Sequence, residues 1–148
     1  PPGCTIARNI INSTDVLQIA TSLTMRDTII DQPGNLTLAY SGSTSQLNVE
    51  KVLASDITTL PSDPSIISGD PSFVNAANGD FHVCADSLAT AFAEPVVGDD
   101  RDLDNQPRDQ DLPGVPNLFG VRDLGAYELP AGATGCGAAD AIFRNGFE

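Results

Sequence analysis

Three short stretches of the chain carry the same alternating apolar pattern. They are Cys4-x-Ile6-x-Arg8-x-Ile10, Leu23-x-Met25-x-Asp27-x-Ile29 and Leu47-x-Val49-x-Lys51-x-Leu53, offset by 19 and then 24 residues. Apolar side chains at every second position mark a β-strand with one buried face. Recurrence at this period marks a solenoid, in which each turn of chain supplies one supersecondary unit. A further alternating segment, Leu36-x-Leu38-x-Tyr40, follows the turn signal Gln32-Pro33-Gly34-Asn35 and lies between the second and third copies. One turn of the solenoid is therefore expected to hold more than one strand. The few aliphatic side chains of one turn bury too little surface to offset the entropy of ordering it, so such units fold only when stacked. The repeats predict an apolar column through Ile6, Met25 and Val49, with Arg8, Asp27 and Lys51 in register. No polar cap precedes Cys4, and the opening Pro1-Pro2-Gly3 has neither an initiator Met nor a signal-peptide pattern. Both suggest the C-terminal part of a longer protein.

Composition agrees with strands and turns. Trp is absent, and 13 Gly and 11 Pro accompany many Ser, Thr, Asn and Asp. No 3.6-residue apolar stripe of useful length is present, which disfavours an all-α fold. The net charge of −13 repels nucleic-acid phosphates and anionic lipid, so nucleic acid is not an expected partner. No stretch approaches the roughly 20 apolar residues of a transmembrane helix. Oligomeric state is not legible.

Further along, Leu60-Pro61-Ser62-Asp63-Pro64 breaks the pattern. Phe73 and Phe81 are expected in the core, with Phe81 and Val83 on one strand face and His82 on the opposite, solvent face. Residues 87–97 read as a short helix or an irregular strand, residues 98–122 as loop, and Val121–Leu129 as a final strand. Residues 130–141 form a small-residue linker. The three cysteines show no CxxC spacing and there is one histidine, which argues against a zinc site. Cys84 with Cys136 is the expected disulfide; three independent thiols are the alternative.

The ordered motifs Asp70-Pro71-x-Phe73, Gly79-Asp80-Phe81-His82, Asp86-Ser87-Leu88-Ala89, Asp102-Leu103-Asp104, Arg108 and Asp123-Leu124-Gly125-Ala126-Tyr127-Glu128 carry a family resemblance. They resemble bacterial pectin-lyase-like proteins, and within them the choice-of-anchor Q type of exported protein. The resemblance covers about residues 70–128 and implies an all-β, right-handed parallel β-helix. Residues 1–129 would be its C-terminal coils and capping region. Leu88, Phe92, Asn105 and the inserted stretch from Asp109 to Phe119 depart from the family pattern. The ending Phe143-Arg144-Asn145-Gly146-Phe147-Glu148 is similar to short sorting or anchoring tails of exported Gram-negative proteins, which makes residues 142–148 such a tail. These likenesses imply an extracellular or cell-surface location and polysaccharide or cell-surface glycans as partners.

Two residue groups carry candidate chemistry. Asp100, Asp102, Asp104 and Asp111 place carboxylates at spacings that suit calcium, the one cofactor the sequence suggests. Asn105 at the sixth position and the short Asp111 at the twelfth depart from an EF-hand. The alternative for this loop is structural: Arg108 pairs with Asp102, Asp104 or Asp123 and pins the final loop. Arg8, Arg26, Asp27 and Lys51 are the residues a polysaccharide lyase would draw on, and no catalytic set can be assigned. The expectation is non-catalytic carbohydrate or cell-surface binding, with part of a lyase or glycosidase as the alternative. An enzyme requires at least three of those four to converge with nearby carboxylates in one groove; a binding protein of the adhesin kind does not.

Overall fold

A computed structural model describes residues 3–98, 101–133, 135 and 136. Strands dominate, and the regular helical pieces are single 3-10 turns at Thr44–Gln46 and Ala76–Asn78. The strands are β1 (Cys4–Ala7), β2 (Asp15–Ile19), β3 (Leu23–Asp31), β4 (Leu36–Tyr40), β5 (Leu47–Ala54), β6 (Ile66–Ser68), β7 (Phe73–Asn75) and β8 (Asp80–Val83). A parallel sheet runs β1-β3-β5-β6, β2 pairs parallel with β4, and β7 with β8 forms an antiparallel hairpin. The segment Leu36–Tyr40 is thus the second strand of its repeat.

The register corrects the repeat. Met25 pairs with Val49 as expected, but Ile6 pairs with Ile30, so the first step is 24 residues, like the second. Arg8 lies beyond the last pair of β1, Ala7 with Asp31, and out of line with Asp27 and Lys51. The physical reason is a left-handed residue inside each long strand: Asp27 at φ 51° and Lys51 at φ 53°. Gly3, one residue ahead of the Cys4–Thr28 pair, continues that column at φ 84°. A left-handed residue breaks the strict two-residue alternation. Met25 and Ile30 therefore share one core cluster with Val49, Val52, Ala54 and Ile66, while Ile29 and Leu53 enter another. A pattern laid straight across Asp27 puts Met25 and Ile29 on one face, and the backbone puts them on two.

Both faces of the parallel sheet are consequently buried, which explains the runs Thr28–Asp31 and Val52–Ala54 with no exposed position. The inner face packs against Val16 and Leu17 of β2, with Ile57 and Leu60. The outer column Thr5, Ile29, Leu53 and Ile67 is covered by the later chain through Phe73, Val83, Ala89, Phe92, Ala93 and Leu124. Burying Ile29 and Leu53 contributes about 1.5–3 kcal/mol each. That exceeds the ~1–2 kcal/mol that a left-handed non-glycine residue costs.

Residues 87–97 are neither helix nor strand; they form turns, with Ala93 bridging Arg122. Val121–Leu129 does not form a strand either. Its backbone is satisfied by side chains: Asp123 accepts from the Ala91 and Leu129 amides at 2.7 Å each, and Glu128 accepts from the amides of Gln110 and Asp123 at 3.2 Å. Phe73 and Phe81 meet edge to face at 5.3 Å. Cys84 and Cys136 form the expected disulfide, and Cys4 is a free, exposed thiol. Among the described residues no helix is long and apolar enough to cross a membrane. The tail at 142–148 lies outside the described residues, as does most of the linker.

Gly125 shows how tightly the covering segment sits. Its φ is +89°, and a Cβ there would lie 2.6 Å from Thr5 Oγ1 and 2.9 Å from Ile29 Cδ1. We predict that Gly125→Ala lowers stability by about 3 kcal/mol, whereas Gly132→Ala, whose site is open, costs only the backbone preference. Urea unfolding of both variants checks this, and equal losses would contradict it.

Candidate functional site

The register that pairs β3 with β5 also builds a charged groove. Arg26 and Glu50 are cross-strand partners, and their side chains form an ion pair of 2.7 Å. The left-handed turns at Asp27 and Lys51 follow at once. Lys51 reaches Glu94 at 2.9 Å and lies 5.3 Å from the centre of the Phe119 ring, a cation–π distance. Asp27 is only 5% exposed. Burial raises its pKa, opposed by the charges of Arg122, Lys51, Arg108 and Arg26. Thr24, Pro95 and Val96 complete the walls of a groove of about 400 Å³, within the usual size range of small-molecule sites.

Of the four residues proposed from the sequence, Arg26, Asp27 and Lys51 therefore converge, joined by Glu50 and Glu94. Arg8 does not; it pairs with Asp31 at 2.7 Å, beyond the end of β1. Glu50 was legible in principle, since it stands 24 residues after Arg26, the spacing that pairs Met25 with Val49. Glu94 carries no local signal, because a long-range approach of the covering segment brings it to Lys51.

The acidic loop serves a different end. Asp102 Oδ1 accepts from the amides of Asp104 and Gln106, and its Oδ2 accepts from the Glu128 amide. Asp104 bonds His82, and Asp111 accepts from the Asn117 amide group. Asp100 lies outside the described residues. Among the described residues no group of three or more His, Cys, Asp or Glu side chains is placed to hold a metal ion. The carboxylates that would hold calcium are turned instead to fixing backbone and His82. Arg108 pins the final loop, though not through the partners expected. Its Nη2 donates to the carbonyl oxygens of Asp123 and Gly125 at 3.0 Å each, and its Nε lies 3.8 Å from Glu128.

His82, expected to face solvent alone, is held on three sides. Nδ1 lies 2.6 Å from Asp80, Nε2 lies 2.8 Å from Asp104, and the Tyr127 ring stacks at 4.0 Å. Burial lowers its pKa, but the two carboxylates outweigh burial and raise it overall. Nearby, burial pushes Asp123 up to about 6. Burial, then the charge of Asp123, pushes Glu128 up to about 7.

No protein-family model, curated protein or solved structure matches this chain.

The shifts of His82, Asp123 and Glu128 act in one direction. Each group binds its proton more tightly folded than unfolded. Their stabilising contributions are therefore complete below the unfolded pKa values and are lost as pH rises through the folded ones. We predict that the thermal midpoint rises when pH is lowered from about 8 to about 5.5, across the window these shifts define. His82→Gln and Glu128→Gln should each flatten part of that rise, followed by differential scanning calorimetry. A midpoint that falls over this interval in the unaltered protein would contradict the assignment.

Proposed function

We propose that this chain is the C-terminal part of an exported, right-handed parallel β-helix of the choice-of-anchor Q type, and that it binds carbohydrate without transforming it. Support for the coil comes from parallel pairings that alternate along the chain, β1 with β3 and β3 with β5, interleaved with β2 and β4, at a constant 24-residue offset in the first sheet. Support for export comes from the Cys84–Cys136 disulfide, since such bonds persist in oxidising compartments. The chain would then sit outside the cell or on its surface, and its partners would be polysaccharide or cell-surface glycans.

The observation that carries the binding reading is the groove of Arg26, Asp27, Glu50, Lys51 and Glu94 beside Pro95 and Val96. Carboxylates accept hydrogen bonds from sugar hydroxyls, guanidinium and ammonium groups donate to them, and small apolar walls receive the C–H faces of a ring. Non-catalytic binding is favoured because both cations are held in ion pairs rather than left to act as a base.

A second reading, part of a polysaccharide lyase or glycosidase, is favoured by one observation. Arg26, Asp27 and Lys51 meet in one groove, as an enzyme requires. Glycan-array screening followed by calorimetry separates the two. We expect an oligosaccharide to bind intact, and the double variant Arg26→Gln with Glu50→Gln to bind about tenfold more weakly, the scale of one charge-assisted hydrogen bond. Chain shortening of the bound sugar over time would favour the enzyme, and binding unaffected by the double variant would remove the groove from the account.

A further inference from the structure

We infer that the groove selects an uncharged, hydroxyl-bearing glycan and rejects uronate-containing ones. This inference rests on the reading of the groove as a glycan site and adds the chemical class of its ligand. The groove holds three carboxylates, Asp27, Glu50 and Glu94, against two cations, Arg26 and Lys51, in a chain of net charge −13. Neither cation is available to an incoming anion. Arg26 is paired across the strands with Glu50, and Lys51 lies between the Glu94 carboxylate and the Phe119 ring, with its side chain only 13% exposed.

A uronate entering this groove has to take Arg26 or Lys51 from its carboxylate. The displaced Glu50 or Glu94 would then face both the uronate and Asp27 without a counter-charge, and like charges at short range are repulsive. A neutral sugar leaves both ion pairs standing. Its hydroxyls donate to the remaining lone pairs of Glu50 and Glu94 and accept from the other N–H groups of Arg26. Pro95 and Val96 offer the apolar wall for its C–H face. The two ion pairs thus act as built-in occupants of the positions an acidic sugar needs.

Glu94 makes the inference testable by a gain rather than a loss. Its side chain is 61% exposed, and removing its charge frees Lys51 without opening the core. The experiment titrates the whole chain and its Glu94→Gln variant with neutral, amino-sugar and uronate oligosaccharides of equal length by calorimetry, at low and high salt. The unaltered chain is expected to bind the neutral series with little salt dependence and to bind uronates weakly or not at all. Glu94→Gln is expected to raise uronate affinity about fivefold, the scale of one exposed ion pair, and that gain should shrink with added salt. Uronates or amino sugars binding the unaltered chain as tightly as neutral sugars would overturn the inference while leaving glycan binding intact. A folded Glu94→Gln variant with no gain for uronates would also overturn it. No binding of any series would bring down the glycan reading itself, and the inference with it.

Discussion

The left-handed turn at Asp27, repeated at Lys51 and continued by Gly3, is the constraint on which the rest of this molecule depends. It divides each long strand into two stretches whose side chains obey different alternations. Met25 and Val49 then fill the inner core, while Ile29 and Leu53 supply the outer one. A straight strand would bury one face and leave the other to water. The turn gives the sheet two buried faces and, at the bend itself, sets Asp27 and Lys51 beside the Arg26–Glu50 pair. Core and candidate site are in this sense one feature, because the residues that redirect the backbone also line the groove.

The segment that covers the outer face holds together by a different means. Around Asp123–Glu128 there is almost no strand ladder, and buried carboxylates take its place as acceptors for backbone amides. Arg108 lies beneath, donating to two carbonyl oxygens and close to Glu128. Buried charges of this kind are costly to leave unpaired, so the cluster has to assemble as a unit. The Asp109–Phe119 stretch joins it: Asp109 bonds Arg122, the Gln110 amide reaches Glu128, and Phe119 packs on Phe92 at 5.1 Å.

Much of the strand content was legible from alternation, including Leu36–Tyr40 as a second strand and the Met25–Val49 register. The step from Ile6 was misread because period-two patterns assume an unbroken strand, and nothing in the residue type of Asp27 or Lys51 announces φ near +50°. Val121–Leu129 looked like a strand because its apolar residues alternate, yet Asp123 and Glu128 hold their carboxylates against the backbone. The groove was legible by halves. Arg26, Asp27 and Lys51 sit on the repeats, whereas Glu94 arrives from a segment whose position depends on packing of Phe92, Ala93 and Leu124. His82 was misjudged because its partner Asp104 lies 22 residues away, in a loop with no periodic signal.

The most direct measurement is a nuclear Overhauser experiment on methyl-labelled protein, reading which protons lie near the Ile29 δ-methyl. The account predicts a strong cross-peak to the Gly125 α-protons, since a Cβ on Gly125 would come within 2.9 Å of that methyl carbon. It also predicts that the Met25 methyl shares cross-peaks with the inner cluster and none with Gly125. An Ile29 methyl whose cross-peaks run to Met25 and Val49, with none to Gly125, would contradict the left-handed division of the strand and everything built on it.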